Sequence, residues 1–207
     1  MDRLKSAKIG LLVRYAATVG FLSLAFSPAI AQVGPLQVVE DSNNEILRLY
    51  ADDIEEADLE ISEKVFEVME QVTSFSTIAN DAIVGLCDTS AGDDCDTFKE
   101  VFKNLLRVSS VRKLGRYRAD SFEYVGEEID GETAVVRTLA QYGDDEIELD
   151  YHLQPIDDSW VITNYVVDGV DTIRNYRKQF TRMLRVSSVD TVIERLRVRT
   201  DELEADS

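Results

Sequence analysis

The chain has 207 residues, a formal charge of −18, two cysteines, 44% apolar residues and 30% charged ones. That composition excludes a disordered tail, a disulfide-knotted miniprotein and a multi-span membrane protein, and it fits one domain large enough to enclose a core. Such acidity also argues against nucleic acid as a partner, because neutralising phosphates takes clustered Lys and Arg.

Residues 1–31 read as a signal peptide. Arg3, Lys5, Lys8 and Arg14 form a basic start, and Tyr15 to Phe26 is an apolar run, too short for a bilayer that needs about 20 residues. Pro28 then precedes Ala29-Ile30-Ala31, an A-x-A cleavage pattern. The expectation is export, cleavage after Ala31, one soluble domain over 32–199 and a frayed acidic tail over 200–207. An uncleaved membrane anchor is the alternative.

Export changes the reading of the cysteines. Cys87 and Cys95 flank a polar, turn-like stretch, and in an oxidising compartment such neighbours pair. The expectation is a structural disulfide stapling one loop. Metal binding is the weaker option, since no His or further Cys lies near in sequence. The lone histidine, His152, falls on the polar face of a strand and reads as exposed, not as a ligand.

Charge is distributed in blocks. Residues 32–98 carry −15, 99–118 carry +6, 119–173 carry −14, 174–199 carry +6 and the tail −4. Two basic segments thus interrupt an acidic body. Either they pair with the acidic helices in the folded domain, or they form a surface for anionic headgroups or an acidic partner.

Ser42-Asn43-Asn44-Glu45 has the capping-box pattern, and Ile46, Leu47, Tyr50 and Ile54 follow at helical spacing. A second helix runs through Ile61, Val65, Val68, Met69 and Val72, and a short third covers Ser76 to Val84 before Gly85. Thr97-Phe98-Lys99-Glu100 repeats the capping box and opens a long amphipathic helix through Leu114. The period then drops from about 3.6 to 2. Strands are predicted at Ser121 to Glu128, Thr133 to Tyr142, Glu146 to Leu153 and Trp160 to Val167, with turns between them. A helix containing Ile173, Tyr176, Phe180 and Met183 follows, then a short one with Val189, Val192, Ile193 and Leu196. The result is an α+β layer fold, a four-stranded antiparallel sheet packed against N- and C-terminal helices as an NTF2-like cone.

The segment Trp160-Val-Ile-Thr-Asn-Tyr-Val-Val-Asp-Gly-Val170, continued by Asp-Thr-Ile-Arg-Asn-Tyr-Arg-Lys-Gln-Phe180, resembles the MlaC family of periplasmic phospholipid-binding proteins. The shared pattern is a strand opening with Trp, then Asp/Glu-Gly-Val, then a helix with Tyr-Arg and Phe. Phe98 to Phe102, Tyr117 and the strand after Gly131 fit the same order, so the likeness extends over about residues 42–199. Thr163-Asn164 and Asp171 depart from the residues the family often has there.

The resemblance implies a periplasmic lipid-carrier domain with no catalytic residues, no cofactor and no metal. It would hold a phospholipid by its acyl chains between sheet and helices and shuttle it between an inner-membrane MCE/ABC transporter complex and an outer-membrane lipoprotein complex. The candidate tail contacts are Phe102, Leu105, Val136, Ile147, Leu149, Tyr151, Leu153, Ile162, Val166, Val170 and Ile173, each of which taken singly reads more readily as core. Lys113, Arg116 and Arg118 end the long helix. They either complement its dipole or meet a headgroup or partner. Two rivals remain: an interaction module without lipid binding, and a small NTF2-like enzyme. The enzyme is disfavoured by acids that fall on polar faces and by the lack of a nucleophile–base pattern.

Overall fold

The computed structural model describes residues 33–52, 58–86, 92–116 and 118–205. The leader expected over 1–31 and Cys87 lie outside them. Among the described residues no helix is long and apolar enough to cross a membrane.

Helix α1 spans Pro35–Asp52. Proline suits the first helical position, where its missing N–H is no loss. The next amide, Leu36 N, donates to Glu127 Oε1 at 2.7 Å, which puts a carboxylate at the positive end of the helix dipole. The start expected at Ser42-Asn43-Asn44-Glu45 is therefore wrong, since these residues sit mid-helix. The Ser42 hydroxyl bonds back to the Val39 carbonyl at 3.0 Å, and the Asn43 amide reaches across to the sheet. Short polar side chains can be satisfied inside a helix in both ways, which a capping pattern cannot distinguish.

Helix α2 spans Asp58–Val72 and α3 Phe75–Ile83. Ser74 caps α3, its Oγ accepting from Thr77 N at 3.2 Å, and Gly85 at φ +77° turns the chain afterwards. Helix α4, Gly92–Arg116, begins before the capping box at Thr97. Cys95 is therefore a buried helix residue and not part of a loop. Its expected pairing with Cys87 falls outside the described residues.

Strands β1 (Ser121–Asp130), β2 (Thr133–Tyr142), β3 (Asp145–Ile156), β4 (Ser159–Val167) and β5 (Val170–Asp171) form one antiparallel meander in that order. The fifth, two-residue strand was not expected. It forms because Asp168 and Gly169 adopt φ +48° and +73°, the pair of left-handed conformations that a tight type I′ hairpin needs. Pro155 pairs with Trp160 within the β3–β4 ladder, so the turn there is Asp157-Asp158 alone.

Two bulges decide which side chains face inward. One lies at Val125 in β1 and the other at Thr163 in β4. Each inserts a residue and reverses the alternation beyond it. On the inner face stand Val136 opposite Tyr151, and Tyr151 opposite Tyr165. Val166 consequently pairs with Asp150 and points to the opposite face, against the expectation that it lines the apolar one.

Helix α1 covers the inner face of the sheet. Val39 is fully buried there with Ala134, Val136, Tyr151, Leu153 and Ile162. The second core lies among the helices, where α5 (Thr172–Leu184) and α6 (Val189–Ala205) pack with α3 and α4. Phe180 meets Phe98 and Phe102 edge-on at centroid distances of 4.9 and 4.7 Å, a favoured aromatic geometry. Tyr165 packs against both cores. The tail is not frayed over 200–205. Residues 200–205 continue α6, Thr200 is buried, and the Arg112 guanidinium donates to the Leu203 carbonyl.

Candidate functional site

The predicted apolar contacts separate into groups. Val136, Tyr151, Leu153 and Ile162 lie under α1 in the sheet core. Ile147 and Leu149 continue that face toward the β2–β3 turn, half-buried. Phe102, Leu105 and Ile173 belong to the helical core. Val166 faces away, and Val170 is 52% exposed on β5.

The sheet core contains a polar line. Tyr151 Oη donates to Asn43 Oδ1 at 2.9 Å, and Asn43 Nδ2 donates to Tyr124 Oη at 3.3 Å. Tyr165 Oη shares a 2.6 Å hydrogen bond with Thr73 Oγ1. Burial pushes the Tyr165 phenol up to about 12 and that of Tyr151 higher still, only partly offset by these bonds. Both phenols are neutral fixtures of the core.

An open groove of about 520 Å³ lies between α4, α5 and α6, within the roughly 300–1,000 Å³ of small-molecule clefts. Its floor is Leu105, Phe180 and Leu196, flanked by Tyr176, Met183 and Leu203. Burial raises the Tyr176 phenol, with a hydrogen bond to Ser109 opposing the shift, so this group too stays uncharged. Arg112, Lys113, Arg195 and Arg199 line the rim. Arg199 pairs with Glu202 at 3.0 Å, while Lys113 and Arg195 have no ion pair or hydrogen bond among the described residues.

Of the three cations predicted to meet a headgroup or partner, Lys113 reaches this rim. Arg118 instead lies over the Tyr50 ring at 4.8 Å, and the Arg116 side chain is outside what the structure describes. Sequence reasoning missed Arg195, Arg199 and Met183. The signal was present as the basic segment 174–199, but only the packing of α4 on α6 shows that it adjoins segment 99–118.

Comparison with known proteins places the chain. The family model described as "MlaC protein" matches residues 39–198. No curated protein matches. Among solved structures, a phospholipid-binding protein from Ralstonia solanacearum, determined in complex with a phospholipid, is similar at 19% identity and TM-score 0.68. The match covers 84% of this chain and 99% of that one. A fold shared over nearly the full length of the solved protein agrees with a family match that spans both the sheet and the helical layer. The chain belongs to the MlaC family.

Proposed function

We propose that this protein is a periplasmic carrier that binds a phospholipid by its acyl chains and moves it between membranes. The observation that carries the reading is the Ralstonia protein of the same fold, solved with a phospholipid bound. The groove between α4, α5 and α6 supports it, because an apolar floor under a cationic rim matches an amphiphile with a phosphate head.

The physical need is simple. Each acyl CH₂ exposed to water costs about 0.8 kcal/mol, so a two-chain lipid does not cross an aqueous compartment unshielded. A carrier has to cover the tails and can leave the headgroup hydrated. No bond is made or broken, and the floor supplies carbon surface with one neutral phenol, in keeping with a binding protein and not an enzyme. Donor and acceptor would be an inner-membrane MCE/ABC transporter complex and an outer-membrane lipoprotein complex, with the protein exported by removal of residues 1–31.

The test is transfer of a fluorescent phospholipid from quenched donor vesicles to the purified protein. Saturable dequenching supports the carrier. No uptake from vesicles of any headgroup composition refutes it.

A further inference from the structure

The second basic segment is centred on α5. From Thr172 to Val189 the chain holds five basic residues and no acidic one, within a protein of net charge −18. Arg174, Lys178 and Arg182 follow at four-residue spacing, and Arg185 is the C-cap. At 100° per residue these four share one stripe, and all are exposed. The opposite side of α5 is the one that buries Tyr176, Phe180 and Met183.

The helix does not neutralise this stripe internally. Arg174 lies 4.0 Å from Asp171, and Arg177, on another face, donates to the Asp81 carbonyl. Lys178, Arg182 and Arg185 have no ion pair or hydrogen bond among the described residues. Directly after Arg185 comes Val186, 83% exposed and the most exposed of the large apolar residues described. Its amide is tied to the Met183 carbonyl at 3.1 Å, which holds the tip in place.

We infer that the Lys178–Arg182–Arg185 face of α5, with Val186 at its end, docks on an anionic bilayer surface. A row of cations beside an aliphatic tip is what an interfacial helix presents. The cations meet headgroup phosphates while their stems and the valine lie along the acyl boundary. An acidic protein surface would satisfy the cations but gives no account of the projecting valine. The acids on the back of the sheet, Glu123, Glu128, Glu146, Glu148 and Asp150, do not oppose docking. Of these, Asp150 comes nearest to α5, next to Val166 and the Asp171 cap, whereas Lys178, Arg182 and Arg185 lie about 10 Å or more further along the helix, beyond the roughly 8 Å over which screened charges act. The docking itself rests on charge and exposure alone.

The test is co-flotation of the purified protein with phosphatidylcholine vesicles, and with vesicles in which about a third of the lipid is phosphatidylglycerol. The protein is expected to bind only the anionic vesicles and to release as salt rises. Since each cation near such a surface strengthens binding about fivefold, and each reversal also adds a repelled carboxylate, K178E/R182E/R185E should weaken it by at least about a hundredfold. V186D should weaken it severalfold, and K103E on α4 should leave it unchanged. Equal circular dichroism and melting for all variants separates docking from folding. Phospholipid recovered from the triple variant by organic extraction keeps the carrier function distinct from docking. Equal binding to both vesicles, or a triple variant that floats like wild type, overturns the inference. So does capture of an acidic protein by cross-linking from position 182 without vesicle binding.

Discussion

The Tyr151 hydroxyl donates to Asn43 Oδ1 at 2.9 Å across the interface between α1 and the sheet, 108 residues apart in sequence. Asn43 is 4% exposed, and its other amide atom serves Tyr124. One side chain thus fixes the seat of α1 on two strands. Asn43→Ala should destabilise the protein by about 1–3 kcal/mol, because the buried Tyr151 hydroxyl loses its Asn43 acceptor and keeps only Thr138 beside it. Tyr151→Phe alone should cost about 1 kcal/mol, and adding it to Asn43→Ala should cost less than the sum of the two. Urea unfolding of the four proteins measures the coupling.

Alkaline stability follows from the buried phenols. Tyr165 is pushed up to about 12 by burial, against an unfolded value near 10. The unfolded chain therefore loses this proton first, and stability is complete below pH 10 and falls as pH rises toward 12. Tyr151, also raised by burial, acts in the same direction. Melting temperatures from pH 8 to 12 should drop through that window, with tyrosinate absorbance rising together with unfolding. Tyr165→Phe should make the drop shallower.

The β4 bulge gives a prediction of side-chain parity. Ile162 is buried in the sheet core, whereas Val166 lies on the outer face opposite Asp150. Ile162→Thr should cost about 2–4 kcal/mol and Val166→Thr under about 1 kcal/mol. Unbroken alternation through β4 places Ile162, Asn164 and Val166 on one face and predicts costs of similar size.

What the sequence made legible follows from which interactions are local. The run Glu146 to Leu153 alternates without interruption, so its strand and inward face are readable. The turn at Gly131 rests on short-range geometry. Other features depend on distant partners. Nothing near Asn43 reveals Tyr151, and nothing in β4 announces the extra residue at Thr163 that turns Val166 outward. The acidic run after Thr200 reads as solvated until Leu203 and Thr200 are seen packed beside α4. Of the site, Leu105 and Lys113 were legible as one apolar and one charged face of a helix. Their meeting with Met183 and Arg195 depends on how three helices pack, which periodicity does not encode.

Within the groove, Met183→Asp places a carboxylate against the apolar wall beside Phe180. Burying an unpaired charge there is costly, so bound phospholipid should fall at least about tenfold. Phe180→Ala acts differently. It removes the ring that both Phe98 and Phe102 pack against and should destabilise the fold by about 3–5 kcal/mol. Thermal melts alongside lipid quantification distinguish the two effects.

The carrier function requires that this domain hold a phospholipid. Native mass spectrometry of the purified protein, followed by organic extraction and lipid identification, tests it most directly. The expected result is a mass increment equal to a phospholipid that disappears on extraction and returns after incubation with vesicles. Protein that is lipid-free as isolated and stays lipid-free with vesicles would contradict it.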